Sequence, residues 1–207
     1  IVFALLLSFV FWGSPWGIWT NKESFEVYLE EKYEEDFVIE EISFDFFNTR
    51  KYHAYAYATD YPDVTFYVGQ NRYTGETEDG YGYESWRVQA MKDISPVVEE
   101  FYHDRSSYSV EVLPPRMEIN EFPFPNYKEY TTVELGISLD ELKVTNANSD
   151  TEIERSFHFL QALKEKGVPL HHFGISYENR TLQLQEDDIP KVNSAEDLGE
   201  YLELYRK

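Results

Sequence analysis

The chain has 207 residues, with 39 acidic against 18 basic side chains, a formal net charge of -21 and no cysteine. That balance excludes binding to a phosphate backbone, which depends on Lys and Arg displacing counterions, so no nucleic-acid partner is expected. The missing cysteine removes disulfides, thiolate metal sites and thiol nucleophiles, while 42% hydrophobic content at this length suffices for real cores.

In chain order, the first stretch is the most informative. Residues Ile1 to Asn21 carry no charge, and the run IVFALLLSFVFW is broken only by Ser8. As a helix it would cover about 28 Å to Trp19, close to a hydrocarbon core of roughly 30 Å. Trp12, Trp16 and Trp19 fall where the run gives way to Gly and Pro, and amphipathic indoles favour the headgroup layer. The expectation is a single-pass membrane anchor over residues 1–21, with the remainder outside the cytoplasm. Because the chain begins at Ile, the positively charged cytoplasmic flank is expected upstream of it. A cleaved secretory signal and a buried core element are the competing readings; Gly13-Ser14-Pro15 is a poor cleavage site, and lipidation would need a cysteine. Between Lys22 and Asp45 ten acids face two bases, which fits the outer side and reads as a solvated face.

Phe25, Tyr28, Leu29 and Tyr33 recur at helical spacing and predict a helix over 23–34. Ile42, Phe44 and Phe46 then alternate with polar residues, Asn48-Thr49-Arg50 supplies a turn, and KYHAYAYAT resumes the alternation as a hairpin. A third strand follows at Val64, Phe66 and Val68, and then a polar loop over 69–82. Trp86, Ala90, Ile94, Val98 and Phe101 predict a second helix, kinked or restarted at Pro96, and Tyr108, Val110 and Val112 a fourth strand. Four of the nine prolines lie in LPPRMEINEFPFPNY, a stiff connection. Beyond it come a strand at Val133, Leu135 and Ile137, a helix capped by Asp150 and ended by Gly167, a hairpin turning at Glu178-Asn179-Arg180, and a last helix opened by Ser194 with Leu198, Leu202 and Tyr205 on its face. The fold class is α+β, with helices packed on one face of antiparallel sheets. The predicted organisation is an anchor over 1–21, a first α+β unit over 22–113, a Pro-rich connection over 114–130 and a second α+β unit over 131–207.

The search for chemistry returns no catalytic residues. His53, His103 and His158 lie in different elements, and His171 and His172 are adjacent on a strand, pointing oppositely, so no metal site is expected. Asn146 to Asp150 imitates the start of an EF-hand loop but lacks the glycine and the bidentate Glu, while Glu76 to Asp79 is at most a weak cation attractor. There is no nucleophile elbow and no phosphate-cradling loop, and Asn179-Arg180-Thr181 is only formally a glycosylation acceptor. No cofactor is implied, and an enzyme is the less favoured reading. What stands out is aromatic density, 17 Tyr and 15 Phe. On KYHAYAYAT the alanines and Tyr52 face one way, while His53, Tyr55 and Tyr57 face the other. This row is the candidate binding surface for a protein or a cell-wall polymer, since Tyr offers apolar area with a polar tip. Two other readings stay open: an acidic inhibitor or immunity-type protein for a basic partner, and an envelope hydrolase with an unrecognised carboxylate site.

The apolar start, the helix FEVYLEEKY, the strands FVIEEISFDFF and KYHAYAYATDYPDVTFYV and the segment YGYESWRVQAM together resemble a group of uncharacterised membrane-anchored or lipoprotein-type extracytoplasmic proteins of Bacillus-like Gram-positive bacteria. The resemblance covers the first half of the chain and implies location and general shape. It carries no catalytic residues, and the absent lipobox departs from the lipoprotein members.

Overall fold

A computed structural model of the chain describes residues 15–103, 107–114 and 124–204. The predicted anchor up to residue 14 therefore lies outside the described residues. Contacts divide the chain into two compact units, Ile1–Ser85 and Trp86–Lys207.

The first unit opens with helix α1 (Pro15–Tyr33), which starts eight residues before the predicted one. Its apolar stripe is as read: Phe25 and Leu29 are fully buried. The helix ends at Glu34, which takes a positive φ of 57° while its N–H donates to the Glu30 carbonyl, a left-handed terminating residue of the kind more often filled by Gly. Four strands follow: β1 (Phe37–Phe44), β2 (Tyr52–Ala58), β3 (Tyr61–Gln70) and β4 (Thr77–Asp79). They form an antiparallel sheet in chain order. β4 falls inside the segment read as loop, because three residues of mixed polarity give no period to detect. Ala54, Ala56 and Ala58 are completely buried and α1 lies against β1 and β2; a face of methyl groups lets a helix approach closely. Phe37, Ile39, Val64, Phe66, Val68 and Tyr81 complete this core, with Tyr81 edge-on to Phe37 at 5.3 Å.

The second unit contains most of α2 (Tyr81–Tyr102). This helix runs through Pro96 without a break, so the predicted restart does not occur; Ser95 Oγ donates to the Met91 carbonyl one residue before the proline. Strand β5 (Ser107–Val112) opens a five-stranded sheet with β6 (Val133–Leu139), β7 (Leu170–Tyr177), β8 (Arg180–Gln185) and β9 (Leu202–Leu204). The unit boundary thus falls within α2 rather than at 114–130, and β5 belongs with the second sheet. Strand order across a proline-rich connection is set by pairing, which local composition does not encode.

The sheet is antiparallel except between β6 and β7, which run parallel because α4 (Ser149–Glu165) carries the chain back between them. The short α3 (Tyr127–Tyr130) precedes β6. Asp150 is not the cap of α4: the helix starts at Ser149 behind Asn148, whose Oδ1 accepts from the Thr145 N–H and Oγ1. The last predicted helix is short. α5 (Ala195–Gly199) has a full capping box between Ser194 and Asp197, and Leu202 and Leu204 then pair with β8 instead of continuing the helix. The core joins Trp86, Ala90, Ile94 and Val98 of α2 and Phe159, Leu160 and Leu163 of α4 to the inner strand residues. Each of the Val, Ile, Leu and Phe side chains among them contributes about 1.5–3 kcal/mol through removal from water.

Candidate functional site

The β2 strand places its residues as the alternation demands. Tyr55 is 48% exposed and its neighbour across the strands, Tyr67, 42% exposed, while His53 and Tyr57 are half-buried. The pairings order this outer face in rungs. Val38 opposes Tyr57, and Ser43, His53, Gly69 and Glu78 form one line across all four strands. A bulge lies between Ile39 and Ile42, which pair with Ala56 and Ala54, so Glu40 and Glu41 together oppose Tyr55. Both glutamates are exposed.

Sequence reasoning missed three members of this surface, Tyr67, Glu40 and Glu41. Tyr67 was legible as an alternating position of β3; the bulge was not. Tyr67 lies over Gly69, where an added Cβ would meet its ring at 2.6 Å, so glycine makes room for the ring to lie flat. The same ring stacks on His53, with centroids 5.8 Å apart and planes 22° apart. Ser43 Oγ lies 2.9 Å from His53 Nε2. That is nucleophile-to-base spacing, but among the described residues no carboxylate bonds the other ring nitrogen and the pair sits on an open sheet face, so the contact orients the ring. Burial, followed by the charges of Glu78, Asp45 and Tyr55, holds the Tyr67 hydroxyl above its ordinary pKa.

The Glu76 to Asp79 segment is not a cation loop. Asp79 is buried, its side chain only 1% exposed. Its carboxylate accepts from Tyr28 Oη at 2.9 Å, Lys32 Nζ at 2.8 Å, Tyr33 Oη at 2.7 Å and the Tyr81 N–H at 3.0 Å. This ties α1 to β4 and to the start of α2. Burial alone would lower Lys32, but Asp79 and the tyrosine hydroxyls outweigh it and raise the ammonium pKa. Burial and then the Asp79 charge raise Tyr33.

Beside it, Glu34, Glu35, Asp36 and Asp60 line a cleft with Thr59. Burial, with Asp60 second, raises the Glu35 carboxyl. Among the described residues no group of three His, Asp or Glu could hold a metal ion.

In the second unit the outer sheet face is polar. Ser109, Gly136, Gly174 and Gln183 form one rung and Ser107, Ser138, Ser176 and Thr181 the next. His172 borders this trough, its ring close over Gly174, whereas His171 lies 2.9 Å from Glu186 in a different depression. The two histidines do not converge. His103 is held by Glu99 at 2.6 Å, and His158 lies against the Phe157 ring. The Asn179 amide is occupied on both sides, accepting from the Val144 N–H and donating to the Val144 carbonyl, each at 2.9 Å.

Trp16 and Trp19 are exposed, 76% and 67%. Among the described residues no helix is long and apolar enough to cross a membrane. No protein-family model matches the chain, and no curated protein matches it in sequence. Among solved structures it is similar to a DUF5037 family protein from Ruminococcus gnavus, at 15% identity and a TM-score of 0.36, covering 82% of this chain and 77% of that one. A likeness at that level carries no argument about fold or activity.

Proposed function

We propose that this is a non-enzymatic binding protein of the cell envelope, tethered by the apolar segment over residues 1–21 with both α+β units outside the cytoplasm, and that its contact surface is the outer face of the first sheet. The observation that carries the reading is the exposed Tyr55–Tyr67 pair, flanked by His53 and Tyr57. Aromatic rings held rigidly on a strand offer contact area at small entropic cost, which is why interfaces are enriched in them. The exposed indoles of Trp16 and Trp19 support an interfacial position for the start of α1.

The test places a photo-crosslinking amino acid at Tyr55, and in a second strain at exposed Glu203 on β9, in cells expressing the full chain. A discrete crosslinked product from position 55 but not from 203, in the membrane fraction and degraded by external protease, is the expected result. Equal labelling from both positions, or a product protected from external protease, overturns the reading.

A further inference from the structure

We infer that the partner of the first sheet's outer face is a basic polypeptide segment, whose Lys or Arg side chains lie over Tyr55 and Tyr67 with their charges against Glu40, Glu41 and Glu78; this rests on the reading of that face as the contact surface. The four strands contain five acids, Glu40, Glu41, Asp63, Glu78 and Asp79, and not one Lys or Arg. Asp79 is spent on the buried cluster with Tyr28, Lys32 and Tyr33. The other four are exposed, and three of them border the tyrosines.

The geometry concentrates this charge on the rings. The β1 bulge sets two carboxylates, Glu40 and Glu41, opposite Tyr55, where a regular strand would set one residue. On the far side Glu78 ends the rung that runs through His53 and Gly69, and Asp45 and Glu78 both act on the Tyr67 hydroxyl. An aromatic face ringed by carboxylates matches a cationic side chain twice over: the ring quadrupole attracts the charge, and the acids complete its pairing. A neutral glycan would use the rings and hydrogen-bond the acids through its hydroxyls but leave their charge unpaired, and an acidic partner would be repelled.

The whole first unit reinforces this selection, with sixteen acids against five bases. Such a field steers basic partners at a rate that falls with salt. An exposed sheet face suits an extended segment, on which side chains at alternate positions reach the same rungs.

The experiment uses the 207-residue chain in neutral detergent micelles and follows the fluorescence anisotropy of labelled octa-arginine, octa-glutamate and chitohexaose. Octa-arginine is expected to bind, more weakly as salt rises. Tyr55→Leu with Tyr67→Leu is expected to weaken it by about fivefold to tenfold, the effect of two exposed cation–π contacts, while Tyr55→Phe with Tyr67→Phe retains most of the affinity. Glu40→Gln with Glu41→Gln should weaken it more than Glu23→Gln with Glu31→Gln on α1, which removes the same charge elsewhere. Equal losses from the two glutamate pairs, or no loss from the leucine variants, would mean diffuse attraction to an acidic protein and overturn the inference. Chitohexaose binding that depends on Tyr55 and Tyr67, without comparable octa-arginine binding, overturns the basic partner while leaving the contact surface standing. If none of the three probes responds to the tyrosines, the inference falls, and the crosslinking result at position 55 decides separately on the surface.

Discussion

Replacing Asp79 by Ala tests the account of how the first unit is held together. The carboxylate accepts four hydrogen bonds. Lys32, 45% exposed, and the half-buried Tyr28 can turn to water when it is removed, so their loss is small. The Tyr33 hydroxyl and the Tyr81 N–H are packed between α1, the sheet and the start of α2, where the Tyr33 and Tyr81 rings meet edge to face at 5.1 Å. Leaving each without its acceptor costs about 1–3 kcal/mol. Relief of the carboxylate's own desolvation offsets part of this, so a net loss of about 3 kcal/mol is expected. At a urea slope of roughly 1 kcal/mol per molar for a unit of this size, the midpoint falls by about 2–4 M. Asp79→Asn should behave similarly, because its amide turns one acceptor atom into a donor facing donors. Because two compact units report together in circular dichroism, peptide-resolved hydrogen exchange through the urea series is the proper assay. The loss should appear in peptides from Phe37–Asp79 and not in those from Val133–Gln185. A midpoint lowered by less than about 0.5 M, or an equal loss in both units, would refute the reasoning.

In the second unit, Ser156 is fully buried and its hydroxyl lies 3.1 Å from Tyr102 Oη and 2.9 Å from Tyr177 Oη; Ser156→Ala leaves two buried phenols short of a partner and should cost about 1–3 kcal/mol, read as a lower thermal midpoint, whereas an unchanged midpoint would show that the hydroxyls find other partners. Burial raises Tyr102 and pushes Tyr177 up to about 12. The native state therefore holds these protons more tightly than the unfolded chain, whose phenols titrate near 10. The stability they contribute is complete below about pH 10 and is lost as pH rises toward the folded value. Ultraviolet difference titration should show a late tyrosinate fraction appearing together with unfolding, and full ionisation at pH 10 in the folded protein would contradict the assignment.

Much of the architecture was legible because periodicity survives in the local sequence. KYHAYAYAT gave both faces of β2, since side chains alternate on any strand, and Phe25 with Leu29 gave the buried stripe of α1. The α+β class and the sequence of helices and strands followed in the same way. The two missed strands share a cause, which is that pairing overrides local pattern. The segment LELYRK continues a helical period, yet Leu202 and Leu204 join β8 because Gly199 ends α5 and the sheet edge offers unpaired backbone groups. Thr77–Asp79 looks like a loop and becomes a strand for the same reason.

For the candidate surface, the sequence alone determined that His53, Tyr55 and Tyr57 share a side, and that the chain is acidic enough to repel polyanions. Only the tertiary structure decided that Tyr67 lies beside Tyr55, that a bulge doubles the carboxylates opposite it, and that Asp79, one acid among 39, is spent inside the first unit while Glu78 beside it stays outside. The physical reason is that a side chain's facing is local, fixed by backbone geometry within two residues, whereas its neighbours are chosen by strand register across tens of residues.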